Sequence, residues 1–174
     1  MSKMISPEFR GSFVSLIEPR SMPGAEGGKP KYQITVVLPK SDEFWTRLAK
    51  QIEDAAVAKW GKVPPRLKSP IKDGDEMERS EFDGMNTVQA TSLNRPGVVD
   101  AVLNPIMSAD EIYSGAYYRI SYRCYAWEHP TGGKGVSVSV DNVMKVRDGE
   151  PFSGRTTAES DFASFKSNAA SMLD

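Results

Sequence analysis

Residues 31–38 alternate, with Tyr32, Ile34, Val36 and Leu38 on one side of an extended backbone and Lys31, Gln33 and Thr35 on the other. That period of two predicts a half-buried strand. Residues 8–17 are also rich in β formers and are interrupted by Gly11, which predicts a bulge or a curved position. A further strand is expected over 86–93, ended by the Pro96-Gly97 turn, and residues 98–103 predict a short strand or packed stretch. Residues 108–112 suit one helical turn. The longest pair of strands runs over 116–127 and 135–147, joined through Gly132-Gly133 as a hairpin or flexible finger.

One segment has a different period. After Ser41 or Asp42 as N-cap, Trp45, Leu48, Ile52, Ala55, Ala56 and Trp60 recur at helical spacing until Gly61 and Pro64-Pro65 stop them. The spacing predicts an amphipathic helix over about 42–60, lying on a sheet as a lid or buttress, with both tryptophans as packing groups. The glycines and prolines of 21–30 predict a mobile loop. Five or so strands with a helix interrupting their order predict a mainly β fold, an OB-fold-like five-stranded antiparallel barrel with an inserted amphipathic α-helix. A sandwich would show the same pattern, because alternation does not prove closure. One domain over 1–152 is expected, followed by a C-terminal extension over 153–174.

Composition narrows the class. The 174 residues are 39% hydrophobic and 26% charged, as in ordinary soluble domains. No apolar run approaches the roughly 20 residues that span a bilayer, and the start lacks a signal-like apolar stretch, so a cytoplasmic protein without membrane contact is expected. Cys124 is the single cysteine and reads as a buried structural thiol. The net charge of −1 hides an uneven distribution: residues 10–72 hold 12 Lys/Arg against 6 Asp/Glu, and 73–114 hold 2 against 9. A neutral total therefore does not exclude nucleic acid, which responds to the local field of a groove. The acidic run from Asp73 to Glu81 lacks calcium-loop spacing and reads as a solvated loop.

No catalytic assembly stands out. One histidine, no paired cysteines, no phosphate-binding glycine loop and no Ser-His-Asp set argue against an enzyme, and no cofactor or metal is expected. The chemistry concentrates in residues 117–127, where alternation puts Tyr118, Ile120, Tyr122, Cys124 and Ala126 on one face. Tyr117, Arg119, Ser121, Arg123, Tyr125 and Trp127 share the other. Unpaired bases stack on exposed rings such as Tyr125 and Trp127, while Arg119 and Arg123 neutralise phosphates. Arg10, Lys31 and Lys134 are additional candidate phosphate contacts. Phe9, Phe13 and Phe82 read as core or loop anchors. Small polar residues at alternating positions, including Ser12, Gln33, Thr35, Gln89, Ser137 and Ser139, suit a groove that does not read base identity. The competing readings are a structural or protein-interaction domain, in which the same aromatics are core or interface, and a metal-dependent nuclease carried by the acidic segment.

Several short pieces stand out in order along the chain: Lys31-Tyr32-Gln33-Ile34, Leu38-Pro39-Lys40-Ser41, Lys59-Trp60-Gly61, Lys72-Asp73-Gly74-Asp75 and Arg95-Pro96-Gly97-Val98-Val99-Asp100. They continue with Ile112-Tyr113-Ser114-Gly115, Gly133-Lys134-Gly135-Val136-Ser137 and Lys145-Val146-Arg147-Asp148-Gly149-Glu150. In this order the chain resembles a bacteriophage family of single-stranded DNA-binding proteins with an OB fold, over residues 5–162. The resemblance implies protection of single strands in phage replication or recombination, in the cytoplasm of an infected bacterial host, beside phage or host replication proteins. A homodimer is compatible with it, although no heptad marks one. Proteins with this task often carry an acidic C-terminal tail. Residues 161–174 have no such charge run, so either a tail has been removed or partners are recruited by other means.

Overall fold

The computed structural model describes residues 3–21, 29–153 and 158–166. Most of the predicted loop 21–30 thus lies outside the described residues. Of the extension 153–174, little more than a helical turn at Ala158–Asp161 and a 3-10 turn at Ala163–Phe165 is described.

In chain order the elements are β1 (Met4–Ile5), β2 (Phe9–Arg20), β3 (Lys31–Pro39), α1 (Glu43–Trp60), β4 (Ile71–Asp73), β5 (Met85–Ser92), β6 (Gly97–Val99), β7 (Tyr117–His129) and β8 (Gly133–Arg147). Five of them close a ring. β2 pairs with β3, β3 with β5, β8 with β7, and β7 returns to β2 through Phe9 opposite Tyr118, all antiparallel. The remaining seam, Ala90 of β5 beside Val138 of β8, is parallel. The barrel is therefore OB-fold-like and mainly β, as the alternation predicts, but not wholly antiparallel. The reason is parity: strand directions cannot alternate all the way round a ring of five.

The inward positions are the ones the period of two selects. Phe9, Ile34, Val36, Val88, Ala90, Tyr118, Ile120, Tyr122, Cys124, Val136, Val138 and Val140 form one buried cluster. Close packing explains Gly11: a Cβ there would come 2.6 Å from the ring of Tyr118. The ladder runs in register through Gly11, and the bulge falls later, between Ser12 and Ser15, where Phe13 takes a φ of +48°. A left-handed backbone at a bulky residue is strained unless its neighbours fix it.

α1 begins at Asp42, whose carboxylate accepts from the Phe44 N–H at 2.8 Å, and stops at Gly61 in the left-handed region with φ +76°. Its buried face, Phe44, Trp45, Leu48, Ile52, Ala55 and Ala56, packs toward β7 and β8. Tyr122, pointing inward from β7, meets it with an edge-on contact to Phe44 and donates a 2.8 Å hydrogen bond to Gln51 Oε1. The helix so completes the barrel core from outside the strand order.

The hairpin β7–β8 is longer than expected, pairing as far as His129 opposite Gly133. The acidic segment is also more ordered than a solvated loop. Lys40 Nζ lies 2.7 Å from Asp73 Oδ1 and 2.6 Å from Asp75 Oδ2, and Asp75 accepts from the Gly84 N–H at 2.8 Å.

Candidate functional site

The polar positions that alternate with the core face outward, and on β3, β5, β8 and β7 they floor a groove of about 530 Å³. Thr35, Thr87, Gln89, Thr91 and Ser137 supply the floor, and Tyr125 and Trp127 supply aromatic rings. One wall is the segment from Lys68 to Lys72. It spans the place where β5 and β8 splay apart: Ile71 to Asp73 pair with β5, while the Lys68 N–H donates to the Lys134 carbonyl at 3.0 Å and the Val136 N–H donates to the Lys68 carbonyl at 3.1 Å. The opposite rim includes Phe13 and Lys31.

Each ring has a visible support. Trp127 donates through Nε1 to Ser137 Oγ at 2.9 Å, and its ring lies over Gly135, where a Cβ would overlap indole carbons. His129 stands beside it, ring centroids 5.2 Å apart. Tyr125, two residues earlier on the same face, remains 39% exposed. Phe13 is fixed from below by Phe82, with ring centroids 6.1 Å apart, and by the Arg79 guanidinium 4.9 Å from its ring. Its carbonyl accepts from Gln33 Nε2 at 3.1 Å, and Gln33 in turn accepts from Gln89 Nε2 at 2.9 Å. The bulge is thereby tied to the groove floor, which buries Gln33 although the alternation turns it away from the core.

Electrostatics give the groove a sign. Lys31, Lys68 and Lys72 line it, no Asp or Glu does, and none of the three lysines is in an ion pair among the described residues. Concave walls of low dielectric concentrate such a field, so a polyanion is attracted locally even by a chain of net charge −1. No cluster of His, Cys, Asp and Glu suited to a metal ion occurs among the described residues.

Of the candidates taken from the sequence, the fold brings Lys31, Tyr125 and Trp127 together in this groove. It takes the others elsewhere. Arg10 donates to the carbonyls of Gly115 and Glu150 and lies over the rings of Phe152 and Tyr117. Tyr117 is also covered by Arg147, 3.7 Å from its centroid, which is paired with Glu8. Arg119 is exposed on a separate surface beside Ile5, Val99 and Met144. Arg123 pairs with Asp141 at 3.0 Å and lines no part of the groove. Lys134 sits 3.8 Å from Glu128, its ammonium 5.4 Å from the Trp60 centroid. The outward side chains of β7 diverge because strands twist and because the ladder with β8 shifts at Ser121/Tyr122 and at Tyr117/Tyr118.

Phe13, Lys68 and Lys72 belong to the groove and were not among those candidates. The lysines had a signal in the sequence, since residues 59–72 hold five cations and no acid. Phe13 had none, because a bulge that turns its ring to the rim is set by pairing with β3.

The chain matches, over residues 2–173, the family model described as the ssDNA-binding protein of Enterobacter phage Enc34. It is similar to the solved structure of the single-stranded DNA-binding protein from bacteriophage Enc34 in complex with ssDNA: 30% identity, TM-score 0.75, covering 86% of this chain and 89% of that one. A putative protein p50 of Acyrthosiphon pisum secondary endosymbiont phage 1 is 30% identical over 157 residues, 83% of each chain. The fold is shared at 18% identity and TM-score 0.62 with gp2.5, a single-stranded DNA-binding protein encoded by bacteriophage T7, over 97% of this chain and 96% of that one.

Proposed function

This chain belongs to the family of the Enterobacter phage Enc34 ssDNA-binding protein, and from that premise we propose that it binds single-stranded DNA in the groove across β3, β5, β8 and β7. It is a single-stranded DNA-binding protein. The strand's bases stack on Tyr125 and Trp127, and its phosphates run past Lys31, Lys68 and Lys72. The observation that carries this placement is one groove holding the exposed ring of Tyr125 and the half-buried ring of Trp127 next to lysines that, among the described residues, meet no acid. Stacking selects single strands because a base in a duplex already has both faces covered. It tolerates any base because each has a π face. The floor residues Thr35, Thr87, Thr91 and Ser137 carry short hydroxyls without a bidentate pattern, and the Gln89 amide, the one group there able to read adenine, already donates to Gln33. In the infected cell such binding keeps transient single strands protected during replication or recombination of phage DNA, beside phage or host replication proteins.

Fluorescence polarisation with labelled single-stranded DNA, duplex DNA and RNA over a salt series tests the reading. The expected result is preference for the single strand, small differences between homopolymers, and affinity falling with salt. Failure of the folded protein to bind any single strand at low salt would overturn it.

A further inference from the structure

Resting on the groove reading, the cation distribution outside the groove points to a second part of the binding site. We propose that the single strand leaves the groove over Lys68 and continues along a basic track formed by Lys134, Lys59, Lys62 and Arg66 at the C-terminal end of α1. Long strands would thus engage phosphate contacts that short ones do not reach.

Residues 59–72 carry Lys59, Lys62, Arg66, Lys68 and Lys72 without a single Asp or Glu. All five are exposed, and none is in an ion pair among the described residues. A run of like charge on a solvated helix end has no ligand meaning by itself. Here it is physically continuous with the groove. Lys68 is a groove wall and its N–H is bonded to the Lys134 carbonyl. From there the Lys134 ammonium reaches Trp60, 5.4 Å from the ring centroid, and the Lys59 ammonium approaches the same ring at 5.9 Å. Two cations so converge on one half-buried indole, with Lys62 following directly after the helix-ending Gly61. Among the described residues, the acid paired with the track is Glu128, 3.8 Å from Lys134. Lys59 and Lys134, on the same ring, repel one another, and a polyanion laid across them offsets that repulsion. Arg66 sits at φ +59°, in a turn that fixes its backbone between the helix end and the groove wall.

The track differs from the groove in chemistry. The groove offers open rings and lysines, whereas the track offers cations around an indole that is already packed, so it holds phosphates without stacking bases. Its contribution is therefore electrostatic and length-dependent.

The test compares the native chain with a triple variant, Lys59→Ala, Lys62→Ala and Arg66→Asn, the last chosen because asparagine tolerates a positive φ. None of the three lines the groove. Thermal melting establishes that the variant is folded. Affinities are then measured for oligo-dT from about 4 to about 16 nucleotides, the span of single OB-fold sites. Native and variant proteins should bind the shortest oligomers alike and diverge as length grows. On the longest, the slope of log affinity against log salt should fall by about 2, close to 0.7 for each lost phosphate contact on a single strand. Equal affinities at every length would overturn the track. So would a loss that is the same at every length, since that would mark a general field and not an extension of the path. If the native protein binds no oligomer at all, it is the groove reading that fails.

Discussion

The indole of Trp127 rests on Gly135, and a side chain at position 135 would overlap it. Directly cross-strand, these two residues set the height of the ring above the sheet while Ser137 holds its Nε1. Gly135→Ala should therefore lift or tilt the indole and weaken single-stranded DNA binding by up to the worth of one stacked base, about 1–3 kcal/mol. Quenching of tryptophan fluorescence by oligo-dT, read beside affinity, checks it. Unaltered quenching and affinity would show that the ring carries no base.

Tyr125 and Arg119 lie on the same nominal face of β7 but on different surfaces. Tyr125→Ala should cost about 1–3 kcal/mol of affinity and Tyr125→Phe much less, because stacking needs the ring and not the hydroxyl. Arg119→Ala should leave affinity within a factor of about two. Polarisation titrations on all three variants decide between the groove and a platform spread along the whole strand, which predicts comparable losses at both positions.

Removing the groove lysines should act mainly through salt dependence. Each of Lys31→Ala, Lys68→Ala and Lys72→Ala should reduce the slope of log affinity against log salt by about 0.7, with little change in homopolymer preference. A slope that stays constant in all three would place the phosphates elsewhere.

The bridge at Lys40 makes an acid-sensitive contact. The Lys40 ammonium holds the Asp73 carboxyl below the usual carboxylate range, and the Gly84 N–H, followed by Lys40, does the same for Asp75. A lowered folded-state pKa stabilises the fold above the unfolded value of about 3.9 and loses that contribution as pH falls through the folded value. Lys40→Met should thus lower the melting temperature at pH 7, and the gap to the native chain should close below about pH 4. A gap independent of pH would assign the effect to packing.

Burial pushes the Cys124 thiol up to about 11. Since the thiolate is the reactive form, the folded protein should resist iodoacetamide at pH 8 and react readily in urea, where the thiol returns to about 8.5. Mass spectrometry of timed samples follows this. Equal rates in both states would mean that β7 opens on the labelling timescale.

Much of the barrel was legible because local rules govern it. The alternation of Ile34, Val36 and Leu38 and the helical spacing from Trp45 to Ala56 record which side chains enter the core, and the fold obeys both, whereas Tyr32 stays half-buried outside that cluster and Trp60 packs only at its edge. The candidate groove was legible only in part. Tyr125, Trp127 and Lys31 reached the groove, whereas Arg10, equally basic and equally strand-borne, became a brace between the Gly115 and Glu150 carbonyls. Nothing adjacent to Arg10 in the chain announces partners more than a hundred residues away.

The sequence by itself determined which residues face inward, where the helix starts and stops, and the chemistry available for binding a polyanion. Tertiary structure decided which outward residues share a surface. A period of two assigns a side of the strand, but ring closure through a parallel seam, the Phe13 bulge and the shifted ladder between β7 and β8 decide where on the barrel that side points. Those features arise from pairing between strands distant in sequence, and the groove exists only where that pairing brings Lys68, Phe13 and Trp127 round the same floor.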